Sequence, residues 1–594
     1  MNTVENSLRT LAAQFLSGLV PGGEVSPAQV LLNPIPADFE GDVSVVLFPF
    51  LKLTGKRPDE LGEALGAFLQ QNLCEIGSWT LVKGFLNITF TPEYWTSLLK
   101  DVYAQHQRFG LREATADAPN VLIEYPSPNT NKPLHLGHLR NIFLGMSLSR
   151  ILEATGQRVT PVCLYNDRGT NISKSMVAWQ KFAHGATPQS TGIKGDHFVG
   201  DYYVKFSDLY KEEVKALMAE GKTEEDAKKQ APCIQEVERM TVAWEEGDAE
   251  VRALWEQMNG WVYEGFNESF GRLGCRFEKN YYESAVYNLG KETVAEGLEK
   301  GIFFRKDDGS IWIDLTDAGL DEKVLLRSNG TSIYITQDIA VAYEKQRDFN
   351  YDASIYVVGN EQDYHFKVLF EILKRLGMKA SDKLYHLSYG MVELPTGKMK
   401  SREGTVVDAD VLFDGMIQVA RETAAEQGKL EGLSEAEKEH LYTMVGNAAL
   451  RYFILRVDPK KKMIFNPQES IDFQGQTGPF VQYTHARIAS ILRQGGDIQL
   501  KDGYVPHPKE VQVLATLGRF GSVIQTAADK MDPSALASYV FELARDFNQF
   551  YHECPVLKES DEAARMFRLA LCASVGSVLK NGLYLLGIEA PERM

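Results

Sequence analysis

The stretch 121–141, VLIEYPSPNTNKPLHLGHLRN, limits what this chain can fold into more than any other. It opens with a short apolar strand, VLIEY. A Pro- and Asn-rich loop follows, which neither helix nor strand absorbs. A helix then opens at His135-Leu136-Gly137-His138 and is expected to run to about Gly156, a residue that stops helices. A strand, a loop and a helix start in that order make a phosphate site. First-turn N–H groups are unpaired there, and the helix dipole adds partial positive charge. Gly137 lets a nucleotide lie close to the backbone. His135 and His138 share one helical face and can donate to phosphate oxygens. A four-residue His-x-Gly-His also occurs by chance as two ordinary helix-start histidines; the strand–loop–helix setting is what points to a nucleotide.

The rest of the middle of the chain continues the alternation. RVTPVCLY reads as a second strand ending at Asn166-Asp167-Arg168-Gly169, and ASIYVVG as a strand apolar on both faces. SIYITQD reads as a strand entering the helix IAVAYEKQ, and GIFFRKDDGSIWIDL as a hairpin with an Asp-Asp-Gly turn. This predicts an α/β fold with a doubly wound, Rossmann-like parallel sheet over 116–410. Its ligands gather at the carboxyl ends of the strands, so Asn166, Asp167 and Gly169 are placed to border a site. Long charged helices at about 180–300, among them KEEVKALMAEGKTEEDAKKQ, read as an insertion, with Trp244, Trp255 and Trp261 in its core. No second catalytic chamber is signalled there, so no editing activity is expected. Residues 1–115 read as a small α+β domain, with VSVVLFPFLKL and TLVKGFLNITF as strand-like runs around the helix DELGEALGAFLQQNL. Residues 411–594 read as an all-α bundle, with Leu536, Val540, Leu543, Phe547 and Phe550 as a core stripe at helical spacing.

Composition narrows the function. The net charge of −17 argues against indiscriminate nucleic-acid binding but allows a local basic track. The segment 211–260 is strongly acidic and a poor RNA face, whereas 471–594 is near charge balance. No run of 18 apolar residues predicts a membrane span, and the first residues lack a secretory pattern. None of the six cysteines forms a C-x-x-C pair, so no zinc or other protein-bound metal is expected, and a reducing cytoplasm suits them.

The string E-Y-P-S-P-N-x-x-K-P-L-H-x-G-H-L-R-N resembles the HIGH region of class I aminoacyl-tRNA synthetases, which carry a sheet of the HUP type, and the arginyl enzymes in particular. The resemblance spans nearly the whole chain. It implies ATP as substrate, with Mg²⁺ on its phosphates, together with L-arginine and tRNA(Arg). It places ATP against His135, Gly137, His138, Lys398 and Met399. It places arginine against Glu124, Asn129, Tyr334, Asp338 and Gln362. Those types suit the ligand. A guanidinium needs carboxylates in its plane, which Glu124 and Asp338 supply; Tyr334 can wall the pocket, and Asn129 and Gln362 suit an α-amino and α-carboxylate group. The segment Lys398-Met399-Lys400-Ser401-Arg402 resembles the KMSKS loop, with Ser401 where the second lysine stands. Lys132, three before His135, is expected to supply the missing cation, so Lys132, His135, His138, Lys398 and Lys400 are the candidate catalytic residues. GNAALRYFIL at 446–455 resembles the DALR motif, with Ala448 in place of its Asp. The family implies tRNA contacts at Phe85 and Asn87 in the first domain and at Tyr483, Arg487 and the C-terminal Met594 in the bundle. It also leads to the expectation of a monomer in the cytoplasm. Two other readings stay open on the sequence: another class I enzyme or nucleotidyl transferase, and a non-catalytic RNA-binding paralogue. The acidic pocket weighs against a glutamyl or glutaminyl enzyme, and retention of His135, His138 and Lys132 against a dead paralogue.

Overall fold

A computed structural model describes residues 3–20, 23–35, 39–287, 289–331, 333–393, 407–427, 432–466 and 475–594. Its centre is a five-stranded, all-parallel sheet. The strands are β1 (Asn120–Glu124), β2 (Arg158–Tyr165), β3 (Lys279–Tyr282), β4 (Ala353–Gly359) and β5 (Leu384–Tyr389), in the spatial order β5-β4-β1-β2-β3. The chain therefore winds outward in both directions from β1. The point where it reverses, between β1 and β4, is where such sheets open a crevice for ligands.

Helix α1 (Leu136–Ala154) follows β1, and it is buried nearly all round rather than along one stripe. A helix of that kind must be covered on every side. The sheet covers one side, and helices of the C-terminal half, including Glu435–Leu455 and Glu562–Leu585, cover others. Arg140 lies in this helix with no exposed surface. Its guanidinium donates to the carbonyls of Gly390 (2.8 Å), Asp458 (3.2 Å), Pro459 (3.1 Å) and Lys461 (2.9 Å). Burial pushes its pKa down to about 10, still well above neutrality. Beside it, Val392–Glu393 pairs in parallel with Met463–Ile464.

Several elements differ from the sequence reading. SIYITQD is not a strand: helix α2 (Tyr334–Phe349) begins at its tyrosine. Of VSVVLFPFLKL only Val43–Val46 is strand, and Phe48–Thr54 is helix, opened by Pro49. The run KEEVKALMAEGKTEEDAKKQ breaks at Gly221, whose φ of +95° suits a glycine, into helices Gly195–Ala219 and Glu224–Gln230. The helical interruption lies between β2 and β3, so it begins before 180, and β3 at 279–282 belongs to the sheet. Trp261 is buried in the interruption, and Trp244 and Trp255 pack edge to face at 5.3 Å. A three-stranded antiparallel sheet (Phe304–Arg305, Ile311–Ile313, Lys323–Leu326) contains the expected hairpin. The N-terminal part is a four-stranded antiparallel sheet with helix Pro58–Asn72 on it and helix Thr3–Ser17 packed against that helix. Leu536, Val540, Leu543, Phe547 and Phe550 are fully buried in the bundle.

Arg140→Met keeps most of the volume but removes the guanidinium donor from four carbonyls, of which those of Asp458 and Pro459 keep a backbone N–H. We expect it to lower stability by about 2–5 kcal/mol in urea unfolding. A loss below about 0.5 kcal/mol would show that the carbonyl cage is not a structural tie.

Candidate active site

The two imidazoles at the start of α1 cap it reciprocally. Gly137 N–H donates to His135 Nδ1 (3.1 Å), and His135 N–H donates to His138 Nδ1 (3.1 Å). Each Nδ1 is an acceptor, so each ring carries its proton on Nε2 when neutral. Burial, then the charge of Lys132, pushes the His135 pKa down to about 3; burial, then His135 and Lys132, holds His138 well below its ordinary value. Both rings are therefore neutral at physiological pH. They lie against each other, with centroids 3.9 Å apart. Two neutral Nε2–H donors at a helix N-terminus can bind an anionic oxygen without a fixed positive charge.

Lys132 is half-buried just ahead of them, and burial lowers its pKa. No acidic side chain among the described residues pairs with it. Helix Gly195–Ala219 closes over this loop at Gly200, where a Cβ would come within 2.6 Å of Pro133. On its other side the helix start is framed by backbone pairing: Leu136 N–H donates to Val407 O (3.0 Å), and Ala409 N–H to Leu134 O (3.0 Å). Residues 407–409, a few positions after the segment resembling KMSKS, lie beside His135. Lys398, Met399, Lys400 and Ser401 themselves lie outside the described residues.

Asp408 and Asp410 join this frame to the insertion. Asp410 accepts from Lys194 (2.7 Å), Ser269 (3.1 Å), Arg272 (3.2 Å) and His197 (3.3 Å). Burial pushes the Asp410 pKa up, but the bonds from His197 and Lys194 outweigh it, and the carboxylate stays ionised. Asp196, His197 and Asp410 bring metal-type ligand atoms within 4.8 Å of one another. The Lys194 ammonium touches both carboxylates and supplies the cation there.

Of the five residues expected around arginine, Glu124, Asn129 and Gln362 lie at or just after the carboxyl ends of β1 and β4, and Asp338 reaches that edge through His365. Glu124 ends β1 and is 4% exposed; it accepts from Ser127 Oγ (3.0 Å) and forms an ion pair with Lys345 of α2. Its carboxylate thus already has a cation partner, which the sequence reading did not provide. Asn129 is half-buried in a loop pinned by Asn166, whose side chain donates to Ser127 O (3.0 Å). Asp338 stands one turn after Tyr334 on α2 and receives His365 Nε2 at 2.6 Å. Tyr334, 77% exposed, walls nothing in this state. Gln362, exposed, precedes helix α3 (Asp363–Arg375).

The Asn-Asp-x-Gly turn serves structure more than the crevice. Asp167 is 1% exposed and accepts from Ser284 N (2.8 Å), Ser284 Oγ (2.6 Å) and Tyr263 OH (2.9 Å). It ties β2 to the insertion and to the turn after β3. The sequence reading missed that turn. Burial pushes the pKa of Glu283, 8% exposed, up to about 7; the Arg168 charge opposes the rise, and Asp167 and then Asp338 add to it. With its amide oriented to suit both neighbours, Gln337 donates to Glu283 (2.7 Å) and accepts from Arg168 (2.6 Å). The available signal was an acidic residue directly after a strand, at the carboxyl edge.

Comparisons with known proteins agree with this geometry. A family model described as tRNA synthetases class I (R), catalytic domain, matches residues 99–466, and one described as DALR anticodon binding domain matches 481–594. The chain is 50% identical over 592 residues to an arginine–tRNA ligase of Bacteroides thetaiotaomicron, covering 98% of this chain and 99% of that one. It is 49% identical over 598 residues to the arginine–tRNA ligase of Porphyromonas gingivalis, covering all of both chains.

The chain belongs to the arginyl-tRNA synthetase family.

The solved arginyl-tRNA synthetase of Thermus thermophilus superposes with a TM-score of 0.80 at 27% identity, over the full length of both chains. The catalytic model runs past the expected boundary at 410 to take in helices Ala409–Gln427 and Glu435–Leu455, and the DALR model starts beyond GNAALRYFIL. Arg451 of that segment is 2% exposed, stacks on Phe143 of α1 at 4.6 Å and donates to Leu273 O. It is a packing residue between α1 and the insertion. Ala448, where the motif has Asp, is buried, and Gly478 approaches its carbonyl so closely that a Cβ there would lie 2.4 Å away.

The residues expected to meet tRNA are also unequal. Asn87 is 4% exposed and its amide donates to Glu40 O (3.1 Å), so it faces inward. Phe85 is half-buried against the exposed Phe48. Tyr483 and Arg487 share a partly exposed patch in which the guanidinium lies over the Tyr483 ring (5.0 Å) and near Tyr551 (5.6 Å). Met594 packs partly buried against the bundle core.

The neutral state of both imidazoles is directly measurable. Imidazole proton NMR should find no titration of His135 between pH 5 and 8; a midpoint above about 5.5 would contradict the buried, Nε2-protonated pair. A histidine held below its unfolded pKa stabilises the fold fully above about 6.5, and that stability falls as pH drops toward 3.

Proposed function

We propose that this chain is an arginine–tRNA ligase. Its substrates are L-arginine, ATP and tRNA(Arg). The arginine carboxylate attacks the α-phosphorus of ATP, a P–O bond forms, and pyrophosphate leaves. A 3′-terminal ribose hydroxyl of the tRNA then attacks the arginyl carbonyl, and AMP leaves. ATP enters as its magnesium complex. The observation that carries this reading is full-length similarity to arginine–tRNA ligases, on a sheet whose reversal point holds the His-x-Gly-His helix start.

The residues take these parts. His135 and His138 donate from Nε2 to the phosphate oxygens, and Gly137 leaves room for the nucleotide. Lys132 places an ammonium by the phosphates, joined by Lys398 and Lys400, with Met399 beside the nucleotide. Asp338, with Glu124 behind it, receives the guanidinium, and Tyr334 folds over it when arginine arrives. Asn129 and Gln362 hold the α-amino and α-carboxylate groups. This reaction needs no protein nucleophile: positioning and charge stabilisation provide the rate. The N-terminal domain, through Phe85, and the C-terminal helices, through Tyr483, Arg487 and Met594, hold the tRNA. The enzyme works as a monomer in the cytoplasm; no described helix is long and apolar enough to cross a membrane.

ATP–pyrophosphate exchange, run with each amino acid in the presence of tRNA, should respond to arginine alone. Exchange with another amino acid, or none with arginine, overturns the reading. In the same assay Lys132→Ala should cut the rate at saturating substrates by about 10²-fold, or about 2.7 kcal/mol. Adding Ser401→Lys to that variant should restore part of it. A Lys132→Ala enzyme at full rate removes Lys132 from the chemistry.

A further inference from the structure

Lys345 is among the largest fully buried side chains of the protein, with 1% of its surface exposed. An ammonium in that position is costly unless a carboxylate meets it. Glu124, the residue that ends β1, meets it. Lys345 lies seven residues after Asp338 on α2, almost two full turns, so both side chains leave the same face of the helix. Sheet register sets the other walls. Tyr356 stands opposite Glu124 on β4, and the ammonium lies over its ring at 4.7 Å. Tyr281 of β3 is the second ring, at 6.0 Å. The remaining Glu124 oxygen accepts from Ser127 at the start of the Asn129 loop.

We infer that Lys345 is a positioning residue for arginine recognition, holding Glu124 in place and cancelling its charge so that Asp338 is the carboxylate left to answer the substrate cation. This rests on the placement of arginine at Glu124 and Asp338. Two carboxylates around one guanidinium would leave the site with excess negative charge; the lysine removes that excess. It also fixes the carboxylate plane, which a flexible, singly bonded glutamate would not keep. Ser127 then ties the ion pair to the loop that carries Asn129, so the guanidinium end and the α-amino end of the pocket are set by one arrangement.

The test is equilibrium binding of L-arginine, and separately of ATP, to the full-length enzyme, with KM for both substrates in pyrophosphate exchange. The variants are Lys345→Met, Lys345→Arg, Glu124→Gln, Asp338→Asn and the double variant Glu124→Gln/Lys345→Met. Lys345→Met should weaken arginine binding and raise its KM at least tenfold, while KM for ATP and kcat change less than threefold. Lys345→Arg, which keeps the cation, should recover most of the loss. In the Glu124→Gln background, removing Lys345 should cost nothing further in arginine KM. Should Lys345→Met alone not fold, the double variant, neutral on both sides, is compared with Glu124→Gln and decides. An unchanged arginine KM in Lys345→Met overturns the proposal. So does an equal loss for arginine and ATP, which marks a general packing role, or a further loss in the double variant. If Glu124→Gln leaves arginine binding unchanged while Asp338→Asn abolishes it, Glu124 lies outside the pocket and the proposal falls without touching the rest of the site. If both leave it unchanged, the arginine site itself is misplaced.

Discussion

A buried guanidinium with no carboxylate partner among the described residues keeps the helix start at His135 in register with the C-terminal half. Arg140 cannot shed its proton, and no water reaches it, so it must find acceptors. The four carbonyls around it come from the end of β5 and from the turn after helix Glu435–Leu455. None of these groups is free to drift without stranding a buried charge. The same contact fixes where Val392–Glu393 can pair with Met463–Ile464, just before the segment that resembles KMSKS. Backbone pairing of 407–409 with 134–136 fixes the other end. Both roots of that segment are thus referred to one helix, the one that begins at His135.

The electrostatics at the carboxyl edge follow a consistent pattern. Fixed charge is compensated inside the protein: Glu124 by Lys345, and Asp410 by Lys194 and Arg272. The groups at the proposed phosphate site are neutral donors, His135 and His138, with Lys132 as the partly desolvated cation beside them. Donors held in place before the substrate arrives need little reorganisation when charge moves to the leaving pyrophosphate.

Local pattern made much of this visible. RVTPVCLY and ASIYVVG are strands over those same residues because an apolar run flanked by turns has few alternatives in an α/β chain. SIYITQD misled because its β-branched residues favour a strand, while Ile335, Thr336 and Gln337 bury themselves in the first turn of α2. Asp167 looked like a ligand and is a structural acceptor, because the Ser284 and Tyr263 that saturate it lie about a hundred residues away. Lys345 and Arg140 were illegible for the same reason. A lone Lys or Arg in a helix reads as a solvated face, and only tertiary contact shows that each is buried against partners more than two hundred residues distant.

The most direct measurement is a crystal structure with a non-hydrolysable arginyl-adenylate analogue. The oxygens standing in for the α-phosphate are expected within hydrogen-bond distance of Nε2 of His135 and His138, with the guanidinium on Asp338 and the Lys345–Glu124 pair intact behind it. A guanidinium bound away from Asp338, or a nucleotide away from the start of α1, would contradict this arrangement.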